Sequence, residues 1–309
     1  MRDRSACRML VVVAVVAAAS PAWATYTFKV IDFPGAANVE LYGINNKGEV
    51  IGSAFDNNFK WITTFVYDSK AGTFTTLSSA PLLSESDGFG INDGDVVVGP
   101  VFNSQGLEGG YIRNKSGQYM IFTHPGSTVF TEPRGVNDKG IVTGWGDTSA
   151  GSVGFIYDPS KNTFTDIIPS TGSTIAQGIN SRGDVVGSTY LPDGGAYAGS
   201  PAGTYGWMRS KNGAITYFRV NGNPTAARGI NDWGVIAGFT TDPAAGNVGF
   251  VATLKGLPYE ALTVAPGDLL AVPSESATDP EAINNLGAIV GNAFDSAGVV
   301  HGFIGTKGK

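Results

Sequence analysis

Six stretches of the chain share one pattern of small, apolar and polar positions, approximately Gly-Ile-Asn-x-x-Gly-x-Val-Val-Gly. Successive copies begin 47, 45, 43, 51 and 53 residues apart. The apolar start, the Asn–Gly turn chemistry and the β-branched return predict a β-hairpin in each copy. The six copies occupy residues 43–52, 90–99, 135–144, 178–187, 229–238 and 282–291. A repeat of this period is typical of propellers and solenoids.

The second copy departs from the pattern at its turn. Gly94 comes one place early, and Asp95 occupies the position where the other copies have Gly. Because that position needs a positive φ, the sequence predicts a shortened or altered turn there.

A second apolar or aromatic stretch follows each copy and predicts a second hairpin. Its first strands are expected at 64–67, 110–113, 154–157, 206–209, 249–252 and 302–305. The partner strands are expected at 73–77, 118–122, 163–167, 214–218 and 259–263. Four strands in a unit of about 47 residues match one propeller blade.

The two ends of the chain complement each other. The sixth copy has no residues left for a fourth strand, whereas an extra strand, 26–31, precedes the first hairpin. Pairing of this strand into the last blade would close the ring and remove an open sheet edge. We therefore predict an all-β, six-bladed propeller of four-stranded blades. The alternatives are a solenoid, which would need capping repeats at both ends, and a sandwich.

The repeat resembles that of the extracellular HAF-repeat family, over nearly the whole chain after residue 24. The tripeptide that gives this family its name is degraded in this sequence: only His301-Gly-Phe303 keeps the His, and the other copies lack it. The resemblance implies a secreted or cell-surface protein. It implies no particular activity, because none is settled for the family.

The N-terminus has the pattern of a cleaved export signal. Arg2, Arg4 and Arg8 precede an apolar run over residues 10–19, and Ala22-Trp23-Ala24 follows it. The run is shorter than the about 20 residues that a membrane anchor needs. We expect residues 1–24 to be removed, residues 25–309 to form a single domain, and the protein to be extracellular or periplasmic. The only cysteine, Cys7, lies in the signal, so no disulfide is expected.

The charge balance bears on the choice of partner. Removing residues 1–24 leaves 17 basic and 25 acidic side chains, a net charge near −8. Such a charge repels phosphate backbones and anionic lipids, which disfavours nucleic acid and membrane insertion. The sequence leaves an extracellular glycan or protein as the expected partner.

Two polar features recur in the repeats. The motif asparagines suit turn formation, although a ring of ligands is an alternative. An Asp or Asn soon after each Val-Val-Gly strand suits loop initiation. A calcium site is the alternative, but each copy supplies only one oxygen ligand group, whereas Ca²⁺ takes six to eight oxygens. The asparagines are Asn45, Asn92, Asn137, Asn180, Asn231 and Asn284. The calcium candidates are Asp56, Asp147, Asp193, Asp242 and Asp295, with Asn103 in the second copy.

No catalytic pattern is evident. His124 and His301 lie in different repeats, and neither accompanies a Gly-x-Ser-x-Gly motif. We interpret both histidines as structural. Paired carboxylates remain possible, since such pairs meet only in three dimensions.

The residue before each copy of the motif is large and varies between the copies, with Arg the only type that occurs twice. If the tight turns share one face of the ring, these residues lie at the opposite mouth of the central channel, where they either bind a ligand or pack between blades. They are Tyr42, Phe89, Arg134, Gln177, Arg228 and Glu281. A long insertion after the fourth copy adds three aromatic candidates that suit stacking on a sugar or protein, Tyr190, Tyr197 and Tyr205.

These features favour a non-catalytic binding or surface protein that uses its variable face to bind a glycan, peptide or protein. The alternative is an extracellular hydrolase or lyase acting on a polymer, with its site at the mouth of the channel. A purely structural role fits the sequence equally well. We expect no cofactor other than the calcium considered above.

Overall fold

The computed structural model describes residues 26–78, 85–102, 108–149, 151–167, 173–196, 198–255, 259–262 and 277–308. The predicted signal peptide, Tyr197 and Asn103 lie outside these residues.

The first strand, β1 (Tyr26–Ile31), is followed by blade one, whose strands pair in chain order. Blade one consists of β2 (Asn38–Ile44), β3 (Glu49–Phe55), β4 (Trp61–Asp68) and β5 (Thr73–Leu77).

Blades two and three repeat this antiparallel meander, and in blade two the first strand is split in two. Blade two consists of β6 (Glu85–Ser86), β7 (Gly90–Ile91), β8 (Val97–Phe102), β9 (Glu108–Arg113) and β10 (Tyr119–Phe122). Blade three consists of β11 (Ser127–Val136), β12 (Val142–Thr148), β13 (Gly151–Asp158) and β14 (Thr163–Ile167).

The remaining blades complete the ring. Blade four consists of β15 (Thr174–Ile179), β16 (Val185–Leu191), β17 (Gly203–Arg209) and β18 (Ile215–Val220). Blade five consists of β19 (Thr225–Ile230), β20 (Val235–Asp242) and β21 (Gly246–Thr253), followed by β22 (Tyr259–Leu262). Blade six consists of β23 (Ala277–Ile283), β24 (Ile289–Phe294) and β25 (Val300–Lys307).

Closure by the N-terminal strand is confirmed. Strand β1 pairs antiparallel with β25 over its whole length, from Tyr26 opposite Lys307 to Ile31 opposite Gly302. It thus supplies the fourth strand of blade six. The predicted six-bladed ring of antiparallel blades is the observed architecture.

One strand lies elsewhere than predicted. The stretch expected to complete blade five, 259–263, corresponds to β22, which pairs parallel with β18 on the outer edge of blade four. Within the described residues the sheet of blade five therefore has three strands. A parallel partner needs a long connection, which the distance in sequence between Val220 and Tyr259 provides.

The hydrophobic core is divided into six layers between neighbouring blades. Each of six buried clusters combines side chains of two adjacent blades, as where Ile51 of blade one packs with Val97 and Tyr111 of blade two. The layer between blades six and one includes Ile31 of the closing strand, Val290 and Leu41. Each blade is therefore stabilised by its two neighbours, and closure covers the last open face.

The motif turns keep one length in all six blades. The Gly that follows the Asn by three positions has a positive φ in five of them, from 75° at Gly140 to 93° at Gly183. In blade two Asp95 takes the same conformation, with φ of 60°, and its backbone N–H bonds the Asn92 carbonyl at 3.2 Å. The turn has the same length and conformation as the others, so the prediction of a shortened or altered turn was wrong, because Asp tolerates the left-handed region.

Candidate functional site

The innermost strand of each blade carries the Gly-Ile-Asn motif, and these strands meet around the axis. A Cβ added to Gly43 would lie 2.8 Å from the carbonyl oxygen of Phe89 in the next blade, and one added to Gly135 would lie 2.7 Å from that of Gln177. The motif Gly thus lets neighbouring strands approach closely. The apolar residues that follow it line cavities of about 70 and 80 Å³, one toward each mouth. They are Ile44, Ile91, Val136, Ile179, Ile230 and Ile283.

The mouth on the side of the motif turns, called the turn mouth, is formed by the six motif asparagines. Each asparagine Oδ1 accepts hydrogen bonds from the backbone N–H groups two and four residues later, which fixes its turn; Asn137 accepts from Lys139 and Ile141 at 3.1 and 3.0 Å. The prediction of a turn-forming role is confirmed. The histidines are also held structurally: His124 is buried and bonds Asp166 at 2.9 Å, and His301 bonds Asp32 at 3.2 Å.

The asparagines also make a second set of bonds that the sequence did not reveal. Each side-chain amide donates to the backbone carbonyl of the asparagine in the next blade, as Asn137 does to Asn180 at 3.0 Å. The ring closes where Asn284 donates to the Asn45 carbonyl at 3.0 Å. All six are buried. The symmetric residues of the turn mouth thus satisfy one another.

The opposite mouth, called the variable mouth, carries the six residues that precede the motif. Five of them, Tyr42, Phe89, Arg134, Arg228 and Glu281, line the cavity of about 80 Å³. The sixth, Gln177, lines a larger cavity of about 270 Å³ between blades four and five. The structure therefore brings together five predicted residues and places the sixth beside them.

A β-bulge aims these residues at the axis. In blade one Leu41 pairs with Gly52 and Gly43 with Ile51, so Tyr42 has no partner on β3. Arg134, Arg228 and Glu281 are likewise left without a partner on the neighbouring strand. In blade four the register shift lies between Ala176 and Ile179. A bulge leaves its extra residue unpaired and redirects its side chain.

The glycine that ends each motif makes room for the bulge. A Cβ on Gly144 would lie 2.1 Å from the carbonyl oxygen of Glu132, and one on Gly238 would lie 2.1 Å from that of Ala226. The corresponding glycines of the other blades show the same conflict at 1.9 to 2.4 Å. The closing Gly of the motif is therefore required by the bulge that points the variable residue toward the channel.

Acidic residues lie two positions before the variable residues in four blades, and the sequence analysis missed them. They are Glu40, Asp87, Glu132 and Asp279. Blades four and five have Ile175 and Ala226 at this position. Residues two apart lie on one face of a strand, so the alternation rule could have identified this second ring. Acids therefore lie beside the variable residues in blades six, one, two and three, and apolar residues take this position in blades four and five.

Burial shifts the acid–base properties of these acidic residues. It raises the pKa of Asp87 from 3.8 to about 7, although a hydrogen bond from the Ser53 hydroxyl at 2.8 Å acts in the opposite direction. Burial, together with the negative charge of Glu281, raises the pKa of Asp279 to about 6. Burial also raises the pKa of Glu40, which accepts a hydrogen bond from the Tyr42 hydroxyl. These carboxyls favour the neutral form more than ordinary surface acids do.

Packing and pairing fix the aromatic and cationic members. Tyr42 and Phe89 contact each other edge to face at 4.5 Å, and the Arg134 guanidinium lies 4.2 Å from the centre of the Phe89 ring. Arg134 also donates from Nε to Glu132 at 2.5 Å, and Trp145 donates to the same carboxylate oxygen at 2.9 Å. This part of the mouth is preorganised.

The other predicted residues lie away from the variable mouth cavity. Tyr190 is exposed on β16, at 58% of its surface. Tyr205, which we expected to be exposed, is fully buried with the Arg219 guanidinium 4.1 Å from its ring centre. Tyr205 lies in the core layer between blades three and four, where it packs with Trp207 and Leu191.

The calcium candidates mostly initiate loops. Asp56, Asp242 and Asp295 each accept two backbone N–H bonds from residues two to four positions later, and Asp193 accepts one from Ala202 at 2.6 Å. These backbone bonds lower the pKa of Asp56, Asp242 and Asp295. Among the described residues no group of three His, Cys, Asp or Glu side chains is arranged to hold a metal ion. Calcium binding stays a prediction.

Comparison with solved structures agrees with this architecture. TolB from Acinetobacter baumannii superposes with a TM-score of 0.53 at 11% identity, covering 71% of this chain and 52% of TolB. This chain has the fold of a β-propeller. It spans about half the length of TolB. No helix in the described part of the chain is long and apolar enough to cross a bilayer.

Two further propellers align over more of the chain with lower scores. Virginiamycin B lyase from Staphylococcus aureus gives a TM-score of 0.49 at 12% identity, covering 90% of this chain and 88% of the lyase. The propeller domain of the Trilobed protease from Pyrococcus furiosus gives 0.47 at 12% identity, covering 86% and 82%. At such identities the likeness concerns the fold alone. Comparison with protein-family models and with curated proteins returns no match.

Proposed function

We propose that this chain is an exported, non-catalytic binding protein that binds a glycan, peptide or protein ligand at the variable mouth. The contrast between the two mouths carries the proposal. At the turn mouth six identical asparagines bond one another in a closed ring. At the variable mouth the same bulge presents residues that vary from blade to blade, such as Tyr42, Arg228 and Glu281. In a repeat protein such a break in symmetry supports recognition rather than folding.

Export is proposed from the N-terminal sequence. Three arginines, a short apolar run and Ala22-Trp23-Ala24 have the order of a cleaved signal. The resemblance to extracellular HAF repeats supports the same location. Residues 25–309 contain no cysteine, so the domain needs no disulfide and its folding does not depend on the redox state of the compartment.

The composition of the variable mouth favours a polar ligand. Carboxylates such as Glu40 and Glu281 accept hydrogen bonds from sugar hydroxyls or peptide N–H groups, and a guanidinium such as Arg228 donates to carboxylates and carbonyls. Most of these groups are half-buried. Partial burial strengthens polar contacts relative to contacts in water.

A parallel screen tests the proposal. Residues 25–309 would be probed with a glycan array and a random-peptide display library, alongside the double variant Tyr42→Ala/Glu281→Gln and the turn-face control Trp233→Ser. Trp233 is 71% exposed on a motif turn, so its replacement leaves the fold intact. We expect binders that lose at least roughly tenfold in affinity with the double variant and less than about twofold with the control. Binders that are insensitive to the double variant, or no binders at all, would refute the proposal.

An enzymatic function is the second candidate, because of one observation. Burial raises the pKa of Asp87 to about 7, and the negative charge of Glu40 acts in the same direction. A neutral carboxylic acid near ionised ones is the arrangement that glycoside hydrolysis and related eliminations use. Turnover of an extracellular polysaccharide that is abolished by Asp87→Asn would favour this hydrolase or lyase function over simple binding.

A further inference from the structure

A cavity of about 270 Å³ lies between blades four and five, beside the variable mouth; we call it the blade 4–5 pocket. One part of its surface is apolar and consists of Ile175, Pro224, Ala226 and Phe239. The rest carries polar groups, from Gln177, Ser188, Thr204, Thr225, Arg228 and Thr241. A cavity of roughly 150 Å³ holds one benzene ring, so this pocket has room for a small ring and a head group.

Arg228 contributes the only charged side chain among the residues that line this pocket. Its guanidinium carbon lies 5.3 Å from the centre of the Phe239 ring. Its Nε is buried and has no hydrogen-bond acceptor among the described residues. The Glu281 carboxylate oxygen lies 3.7 Å from that nitrogen, beyond hydrogen-bond distance.

Blade three shows what Arg228 lacks. Arg134 occupies the equivalent bulge position, and its Nε donates at 2.5 Å to Glu132, two residues earlier on the same strand. In blade five the residue two positions earlier is Ala226, which has no acceptor. Leaving a buried guanidinium N–H unsatisfied costs free energy. The fold therefore pairs Arg228 with the Glu281 carboxylate at 3.7 Å but leaves its Nε without a hydrogen-bond acceptor among the described residues.

We propose that the blade 4–5 pocket binds a carboxylate that carries a small apolar group, with the carboxylate bonded to Arg228. The proposal rests on the proposed function, because Arg228 belongs to the variable mouth. A carboxylate matches the guanidinium in charge and in hydrogen-bonding geometry. The apolar group would pack on Phe239, Ile175 and Pro224. The carboxylate belongs either to a free small acid or to the C-terminal residue of a peptide.

Phenylacetate is the probe that tests this pocket. Titration calorimetry on residues 25–309 would compare it with acetate, which lacks the ring, and with 2-phenylethanol, which lacks the charge. We expect phenylacetate to bind at least roughly tenfold more tightly than either analogue, since both the ring and the carboxylate are needed. Absence of phenylacetate binding, or equal binding of 2-phenylethanol, overturns the proposal.

Two variants test the assigned contact. Arg228→Gln removes the guanidinium, and Ala226→Glu introduces the internal acceptor that blade three has. Each is expected to weaken phenylacetate binding roughly tenfold or more. The Ala226→Glu variant also relieves the unsatisfied Nε, so its thermal stability should not fall. Arg182→Gln, an exposed arginine beside a motif turn, is the matched control and should change the affinity less than about twofold. Unchanged binding in both test variants contradicts the assignment.

A short peptide ending in Phe distinguishes the two sources of the carboxylate. If the free-acid peptide binds more than tenfold tighter than phenylacetate and its C-terminal amide does not bind, the ligand is a peptide C-terminus. Equal affinity for peptide and phenylacetate assigns a small free acid. Ligands from the display and glycan screens that require Tyr42 and Glu281 but contain no carboxylate would refute this inference while leaving the proposed function intact.

Discussion

Each motif asparagine makes three hydrogen bonds with one side chain. Its oxygen accepts two backbone N–H groups of its own turn, and its amide donates to the next blade. Only an amide combines an acceptor and a donor of this size, because Asp lacks the donor and Ser lacks the reach. The residue therefore couples the local turn to the assembly of the ring.

Replacing Asn137 with Ala removes all three bonds, which leaves two N–H groups without partners and the Asn180 carbonyl with only the Gly183 N–H, at 3.0 Å. We expect the free energy of unfolding to fall by about 2 to 4 kcal/mol. Asn114 is a suitable control, because its oxygen accepts the Gln118 N–H at 2.9 Å in an exposed turn without a bond to another blade. Asn114→Ala should cost less than about 1 kcal/mol. Equal losses in urea unfolding would contradict the inter-blade role.

Asp87 makes stability depend on pH in a direction opposite to most acids. Its pKa is raised by burial from 3.8 to about 7, so between pH 4 and pH 7 the folded protein holds a proton that the unfolded chain has released. Stability contributed by this group therefore falls as the pH rises through that window. Asp87→Asn, which mimics the neutral form, should gain up to about 4 kcal/mol relative to the wild type between pH 4 and pH 8.

Urea unfolding at several pH values checks this prediction. Asp242→Asn is the control with the opposite sign, because backbone hydrogen bonds from Ala244 and Ala245 lower the pKa of Asp242. That variant should lose stability relative to the wild type as the pH rises through the acidic range. A difference between Asp87→Asn and wild type that stays constant with pH would show that Asp87 is not held neutral.

At the scale of the strand, a bulge and a glycine work together. The bulge turns the variable residue toward the channel, and the closing Gly of the motif admits the carbonyl oxygen that the bulge displaces. Sixfold repetition of this pair lets the blades differ at one position without disturbing the ladder. The variable mouth is thus built on a constant frame.

Gly238→Ala tests this coupling in blade five. Its Cβ would lie 2.1 Å from the Ala226 carbonyl oxygen, so the bulge must shift and Arg228 with it. We expect a loss of about 2 to 3 kcal/mol in the free energy of unfolding. Gly109→Ala is the control, since its Cβ meets nothing closer than 3.5 Å, and it should change stability by less than about 0.5 kcal/mol. Comparable stability of both variants would argue against the strand geometry described.

Much of this strand arrangement could be predicted from the sequence. Repeat period, turn residues and alternation were sufficient for the hairpins and for closure by Tyr26–Ile31. The bulge was not predicted, although it leaves a signal: the spacing of the buried apolar residues changes from two to three, as from Val39 and Leu41 to Ile44. The asparagine ring was not predicted either, since its bonds join residues 43 to 53 positions apart, or 239 at the closure. The position of β22 was not predicted, because the residues of β22 do not indicate that it pairs with β18 at the edge of blade four.

At the scale of the whole molecule, stability depends on closing the ring. The six core layers each need two blades, and the layer between blades six and one includes residues from both ends of the chain, such as Ile31 and Ile304. Pairing of β1 with β25 therefore joins the termini directly. We expect local unfolding to begin at this pair of strands, because β1 and β25 come from opposite ends of the chain.

A disulfide between β1 and β25 tests closure. Thr27 lies opposite Thr306, both are exposed, and residues 25–309 contain no cysteine. Thr27→Cys/Thr306→Cys should form a disulfide and raise the free energy of unfolding by about 2 to 4 kcal/mol. Lys29→Cys/Thr306→Cys is the control in the wrong register, where Lys29 faces Ile304, and it should stay reduced. A disulfide in the control but not in the matched pair, seen on a non-reducing gel, would contradict the observed register.

The central claim is that the propeller binds its ligand at the variable mouth and uses the turn mouth for assembly. A crystal structure of residues 25–309 with the tightest peptide or glycan from the screens tests it most directly. We predict density for the ligand between Tyr42, Arg228 and Glu281, with the asparagine ring unchanged. Ligand density on the motif turns, around Trp233 or the asparagines, would contradict the claim and assign recognition to the symmetric mouth.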